Sequence, residues 1–110
     1  MKKFELYSVN LDPTVGAEMQ KTRPCLVISP DEMNAYVRTV IIIPLTSTSR
    51  ALPTRVLIKA TPQSGLNNDS YAAIDQIKTV DKSRLGNLIG EISESEKHDV
   101  TTVLLELFDY

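Results

Sequence analysis

Residues 38–45 read RTVIIIPL, and the four central side chains, Val40, Ile41, Ile42 and Ile43, decide the class of fold. Three isoleucines behind a valine are stiff at χ1 and favour an extended backbone. The run is six apolar residues long from Val40 to Leu45 and is cut by Pro44, far short of the roughly 20 residues that cross a bilayer. It therefore reads as a strand, apolar at every position rather than at alternate ones. Such a strand needs cover on both faces, with a second subunit a candidate for one of them.

Working outward from it, residues 4–11 alternate with period two and read as a first strand ended by Asp12-Pro13. Residues 13–22 show neither strand nor helix periodicity, and a loop this long in so small a chain is commonly a functional one. Residues 24–29 read as a buried second strand closed by Pro30, after which Asp31 could cap a helical turn to Asn34. On the C-terminal side lies a Ser/Thr-rich segment, 46–53, followed by strands at 54–59 and 70–74 separated by the turn signal 65–68. Strands at 76–80 and 85–92 complete the sheet. Ser93 and Glu96 have the spacing of a capping box. Behind them Val100, Val103, Leu104, Leu107 and Phe108 fall at helical spacing. The expectation is one mostly β domain over residues 1–110, a small barrel of five to seven short strands with a C-terminal helix.

The 110 residues are 42% hydrophobic and 24% charged, the composition of an ordinary globular domain and not of a disordered or disulfide-stapled one. Lys2 and Lys3 are followed by no apolar stretch of signal-peptide type, so the cytoplasm is the expected location. One cysteine, Cys25, forbids an internal disulfide, and one histidine, His98, leaves too few ligands for most transition-metal sites. Cys25 lies in an apolar run and reads as core; His98 lies among polar neighbours and reads as surface. No cofactor and no metal are expected, and any catalysis must rest on Arg, Lys, Asp, Glu, Ser, Thr or Tyr. The net charge of −2 hides an asymmetry. Residues 1–59 hold eight bases and five acids, a net of +3, while the remainder holds four bases and nine acids, a net of −5. A fold that segregates those halves presents a basic face to phosphates.

Five motifs then occur in order: Leu11-Asp12-Pro13-Thr14-Val15-Gly16-Ala17-Glu18, Arg23-Pro24, Pro44-Leu45-Thr46-Ser47, Pro53-Thr54, and Asp75-Gln76-Ile77-Lys78-Thr79-Val80-Asp81. Together they resemble the MazF/PemK/Kid toxin family nearly end to end. The resemblance implies an SH3-like barrel of the MazF/Kid/CcdB type, working as a homodimer. It also implies a metal-independent endoribonuclease of a type II toxin–antitoxin system that cuts single-stranded RNA, with a MazE-like antitoxin whose extended acidic segment occupies the basic groove. Arg23 matches the family's catalytic arginine and Thr46 its catalytic threonine, with Ser47 a neighbouring donor. For the carboxylate that moves a proton, Glu18 comes first and Asp75 second. Lys21, Arg50, Arg55 and Gln76 are the expected RNA contacts. Two departures stand out. Lys3-Phe4 precedes Glu5 where the family often has Arg-Gly, which leaves the local turn geometry open. Ala73 stands two before Asp75, where one branch has an arginine, so an Asp75-centred mechanism lacks that partner. The alternative is a non-enzymatic, CcdB-like toxin or binding module acting on gyrase or another protein. It is disfavoured because the Trp-Gly-Ile tail of those proteins has no counterpart in Phe108-Asp109-Tyr110.

Overall fold

Seven strands and two helices follow one another among the described residues. They are β1 (Glu5–Asn10), β2 (Thr22–Val27), α1 (Asp31–Tyr36), β3 (Thr39–Thr46), β4 (Arg55–Ile58), β5 (Ser70–Ala73), β6 (Lys78–Asp81), β7 (Leu85–Glu91) and α2 (Glu94–Leu107). Short 3-10 turns at Ile74–Gln76 and Lys82–Arg84 flank β6. The computed structural model describes residues 1–48 and 52–109. Every strand pairing is antiparallel, in the order β4-β5-β3-β2-β1-β7, with β6 on β3 as well.

The all-apolar strand is the hinge of this arrangement. The N-terminal half of β3 pairs with β6, from Thr39↔Asp81 to Ile42↔Lys78, and its last two residues pair with β5, Leu45↔Ala72 and Thr46↔Tyr71. Its alternate side chains feed two separate cores. Ile43 and Leu45 join Leu6, Leu26, Ile58 and Ile74 in one, which α2 covers with Val100, Val103 and Leu104. Val40 and Ile42 join Val9, Leu11, Cys25, Val27 and Val80 in the other, against which Met19 of the long loop packs. Both faces of the strand thus pack within a single chain, with Ile41 half-buried.

Three local details differ from the sequence reading. Asp31 is the first helical residue of α1 and does not cap it; Pro30 holds the cap position, and the Asp31 carboxylate instead accepts the Lys3 amide at 2.8 Å. The apolar stripe of α2 is buried only as far as Leu104, and Leu107 and Phe108 are 40% and 71% exposed. Fourteen residues of helix span about 21 Å, more than the roughly 13 Å of the four-residue strand β4 beneath it, so the last turn overhangs. Finally, Phe4 adopts φ +73°, the left-handed conformation that a glycine takes freely and a bulky residue at a cost of about 1–2 kcal/mol. The turn that a glycine would form is therefore kept. Packing of the Phe4 ring against the α2-covered core, with Lys3 and Lys97 each within 6 Å of its centroid, offsets the strain.

The capping box expected at Ser93 is complete. Ser93 Oγ accepts from the Glu96 amide at 3.2 Å, and Glu96 Oε1 accepts from the Ser93 amide at 2.9 Å. The other Glu96 oxygen accepts from the Lys59 amide at 2.8 Å, which clamps the start of α2 to the end of β4. No helix among the described residues is long and apolar enough to cross a membrane.

Candidate active site and RNA-binding groove

The long loop folds back over the core that contains Cys25. Its neck is closed by backbone and side-chain hydrogen bonds: Leu11 N to Lys21 O at 3.0 Å, Lys21 N to Asp12 Oδ1 at 3.0 Å, and Asp12 N to Asn10 Oδ1 at 3.1 Å. Arg84 from the turn before β7 donates to the Asn10 and Asp12 carbonyls. Farther out, Met19 packs into the core and its amide donates to Gln76 Oε1 at 3.4 Å. The loop is thereby pinned to the 3-10 turn Ile74–Gln76, and a groove is left between loop and sheet.

Two adjoining recesses form that groove and share Met19 and Gln76. One, of about 390 Å³, is lined by Ala17, Met19, Thr46, Thr48, Arg55 and Gln76. The second, of about 280 Å³, is lined by Glu18, Met19, Pro44, Asp75, Gln76, Ile77 and Lys78. Of three roomier recesses, those of about 600 Å³ at the start of α2 and about 630 Å³ beside Lys2 and Lys3 contain none of the residues expected to act on RNA, and one of about 420 Å³ between β4 and α2 contains only Arg55.

Thr46 ends β3 and is 7% exposed. Its Oγ1 accepts from the Thr48 amide at 3.2 Å, so the hydroxyl proton is free to donate to a ligand. Arg23 sits on β2, two residues before Cys25, whose partner Pro44 stands two residues before Thr46. Its Nε donates to the Gln20 carbonyl at 2.9 Å, and its two terminal nitrogens donate to no described residue. Lys78, which pairs with Ile42 on β6, shares this face of the sheet. The charges of Arg23 and Lys78 both reach the Cys25 thiol, although burial dominates there and pushes its pKa up to about 12. Iodoacetamide at pH 8 is therefore expected to leave the native protein unmodified and to add once after denaturation, a difference read directly by mass spectrometry.

Asp75 protrudes from the 3-10 turn and is met by Arg55. Arg55 Nε lies 3.4 Å from Asp75 Oδ1, and Arg55 Nη2 donates to Oδ2 at 3.4 Å; the two side chains are 11% and 35% exposed. Arg55 is thus not the open surface contact that its expected RNA-binding role implies. Glu18 is exposed, with Oε2 accepting from the Val15 amide at 3.2 Å. Ser47 is exposed and lines neither recess, while Lys21 stands at the loop neck with φ +69°. Arg50 lies outside the described residues. The groove accordingly joins Thr46, Glu18, Asp75, Gln76 and Arg55, while Arg23, Ser47 and Lys21 line neither recess.

A family model described as "PemK-like, MazF-like toxin of type II toxin-antitoxin system" matches residues 2–108. The chain belongs to this family. Among relatives of the toxin, Endoribonuclease EndoA of Bacillus subtilis is 34% identical over 115 aligned positions that cover 100% of this chain and 98% of the relative. A solved Mycobacterium tuberculosis toxin, MazF-mt6, superposes with a TM-score of 0.81 at 27% identity, covering 96% of each chain. A mycobacterial endoribonuclease solved in complex with its cognate antitoxin gives 0.79 at 25% identity, over 96% of this chain and 92% of that one.

Lys78 is the toxin's groove residue that sequence reasoning passed over. It stands inside the quoted motif, two positions before the buried Val80, so period-two alternation already assigns both to one face. The missing step was knowing that this face lies under the loop. Among the described residues no three His, Cys, Asp or Glu side chains cluster as a metal site would require.

Proposed function

We propose that this toxin cuts single-stranded RNA by driving the substrate's own 2′-OH onto the adjacent phosphorus. The toxin is an endoribonuclease of a type II system, as its relatives are. What supports the chemistry is that Thr46 and Asp75 line two recesses that share Met19 and Gln76, with Arg23 on β2, the strand paired with β3. Asp75 takes the 2′-OH proton, with Glu18 the second carboxylate of the groove. Asp75 is preferred because Arg55 ties it to the recess that holds Thr46. Thr46 donates to a non-bridging oxygen of the phosphorane, and Arg23 opposes its growing negative charge where the 5′-oxygen departs. The 5′-oxygen leaves with a proton from the Arg23 guanidinium, which solvent restores, and the products are a 2′,3′-cyclic phosphate and a 5′-OH. Lys21, Arg50, Lys78, Gln76 and Ser47 hold the flanking nucleotides. An extended acidic segment of a MazE-like antitoxin fits the same groove, where it displaces RNA. The reading includes a homodimer of single-domain chains in the cytoplasm.

The experiment is digestion of a long single-stranded RNA in EDTA, with fragment ends mapped. Discrete cuts carrying cyclic-phosphate ends are expected. Cleavage lost in EDTA and restored by Mg²⁺ would overturn attack by the 2′-OH. Absence of cleavage on RNA of broad sequence coverage would point to a toxin that binds a protein such as gyrase.

A further inference from the structure

Arg55 is unusual among the cations of the groove. It is nearly buried and enters from β4, where the register pairs Arg55 with Ala73. Residues paired in this way project to one side, and the methyl group of Ala73 leaves room for the guanidinium to cross toward Asp75, two residues farther along. Its fork meets both carboxylate oxygens at 3.4 Å. Arg55 Nε is buried and out of line for a hydrogen bond, so the ion pair is its compensation for being there. On its other side Arg55 lines a separate recess with His98, Asp99 and Thr102 of α2.

We infer that Arg55 is a positioning residue for Asp75, fixing that carboxylate at the wall of the groove, and is not a contact to RNA phosphate. The inference rests on the reading of Asp75 as the base. A phosphate contact and a positioning residue make different demands. Loss of a phosphate contact weakens RNA binding and reduces the slope of log Kd against log salt by about one. Loss of a positioning residue lowers the chemical rate of bound substrate and leaves that slope alone.

The test compares wild type and Arg55→Ala in two assays: single-turnover cleavage of a short RNA, and binding of the same RNA with a 2′-deoxy nucleotide at the scissile position across a salt series. Expected are a rate lower by about 10- to 100-fold, as for a displaced catalytic group, and unchanged binding and salt slope. A weaker Kd with a shallower slope would overturn the inference, as would an unchanged rate. The exchanged pair Arg55→Ala/Ala73→Arg returns the cation from the opposite strand and is expected to regain about tenfold in rate; failure to regain any would also overturn it. If Arg55→Ala melts below the assay temperature, Arg55→Gln, which keeps length without charge, serves in both assays. A wild-type protein that cuts no RNA would sink the ribonuclease reading itself, a result distinct from normal cutting by the Arg55 variants.

Discussion

Arg23→Ala is expected to lower the single-turnover cleavage rate by about 10³-fold or more, with folding intact. The magnitude follows from what is removed. A guanidinium supplies a permanent charge and a planar fork that matches a phosphorane carrying extra negative charge, and one preorganised donor of this type is worth about 10²- to 10³-fold by itself. Arg23 is half-buried, belongs to neither core, and makes one described side-chain hydrogen bond, to the Gln20 carbonyl. Its loss should therefore change stability by no more than about 0.5–1 kcal/mol. Arg23→Lys should recover little, because an ammonium is a point charge without the fork. Rates and thermal melts on the same preparations check this, and a variant that cuts normally would remove Arg23 from the mechanism.

Thr46→Val is the second large effect, about 10- to 10³-fold in rate. Valine keeps the β-branched shape at a position that is 7% exposed, so packing is conserved and only the hydroxyl goes. That hydroxyl accepts from the Thr48 amide and lines the groove, so its proton is left to donate to a ligand. Thr46→Ser should retain most of the rate, since donor and acceptor both remain. Comparison of the three proteins under single-turnover conditions separates the hydroxyl from the shape. Equal rates for Val and Thr would show that Thr46 only ends the strand.

Periodicity and turn chemistry carry most of this fold. The alternation before Asp12-Pro13, the β-branched run at 40–43 and the Ser93 and Glu96 spacing each place an element within two residues of its observed bounds. What they do not carry is which faces meet. The double burial of β3 leaves open whether a second subunit or a second core provides the cover, because both satisfy the same apolar pattern. The overhang of α2 depends on the length of the strand beneath it, which is a tertiary fact. At the site, motif order indicates Arg23 and Thr46, while the pairing of Arg55 with Asp75 depends on a cross-strand neighbour 18 residues from Arg55, Ala73. No local pattern encodes that neighbour. Phe4 is the converse case: the residue type argues against a left-handed turn, and the surrounding hydrogen bonds, Phe4 N to Val27 O at 2.7 Å and Ile92 N to Phe4 O at 3.3 Å, impose it.

The pairing of β1 with β7 has a consequence for how such a toxin comes into being. Residues 5–10 wait for residues 85–91 before their second edge is satisfied, and the core above β3 is not roofed until Val100 arrives. Contacts so distant in sequence form late and slowly. During synthesis at about 5–20 residues per second, Arg23 and Thr46 leave the ribosome seconds before the chain that will hold them in place. Until residues 85–100 have emerged, the outer edge of β1 and the core above β3 are both unfinished, so the groove is assembled only after its own residues have been made.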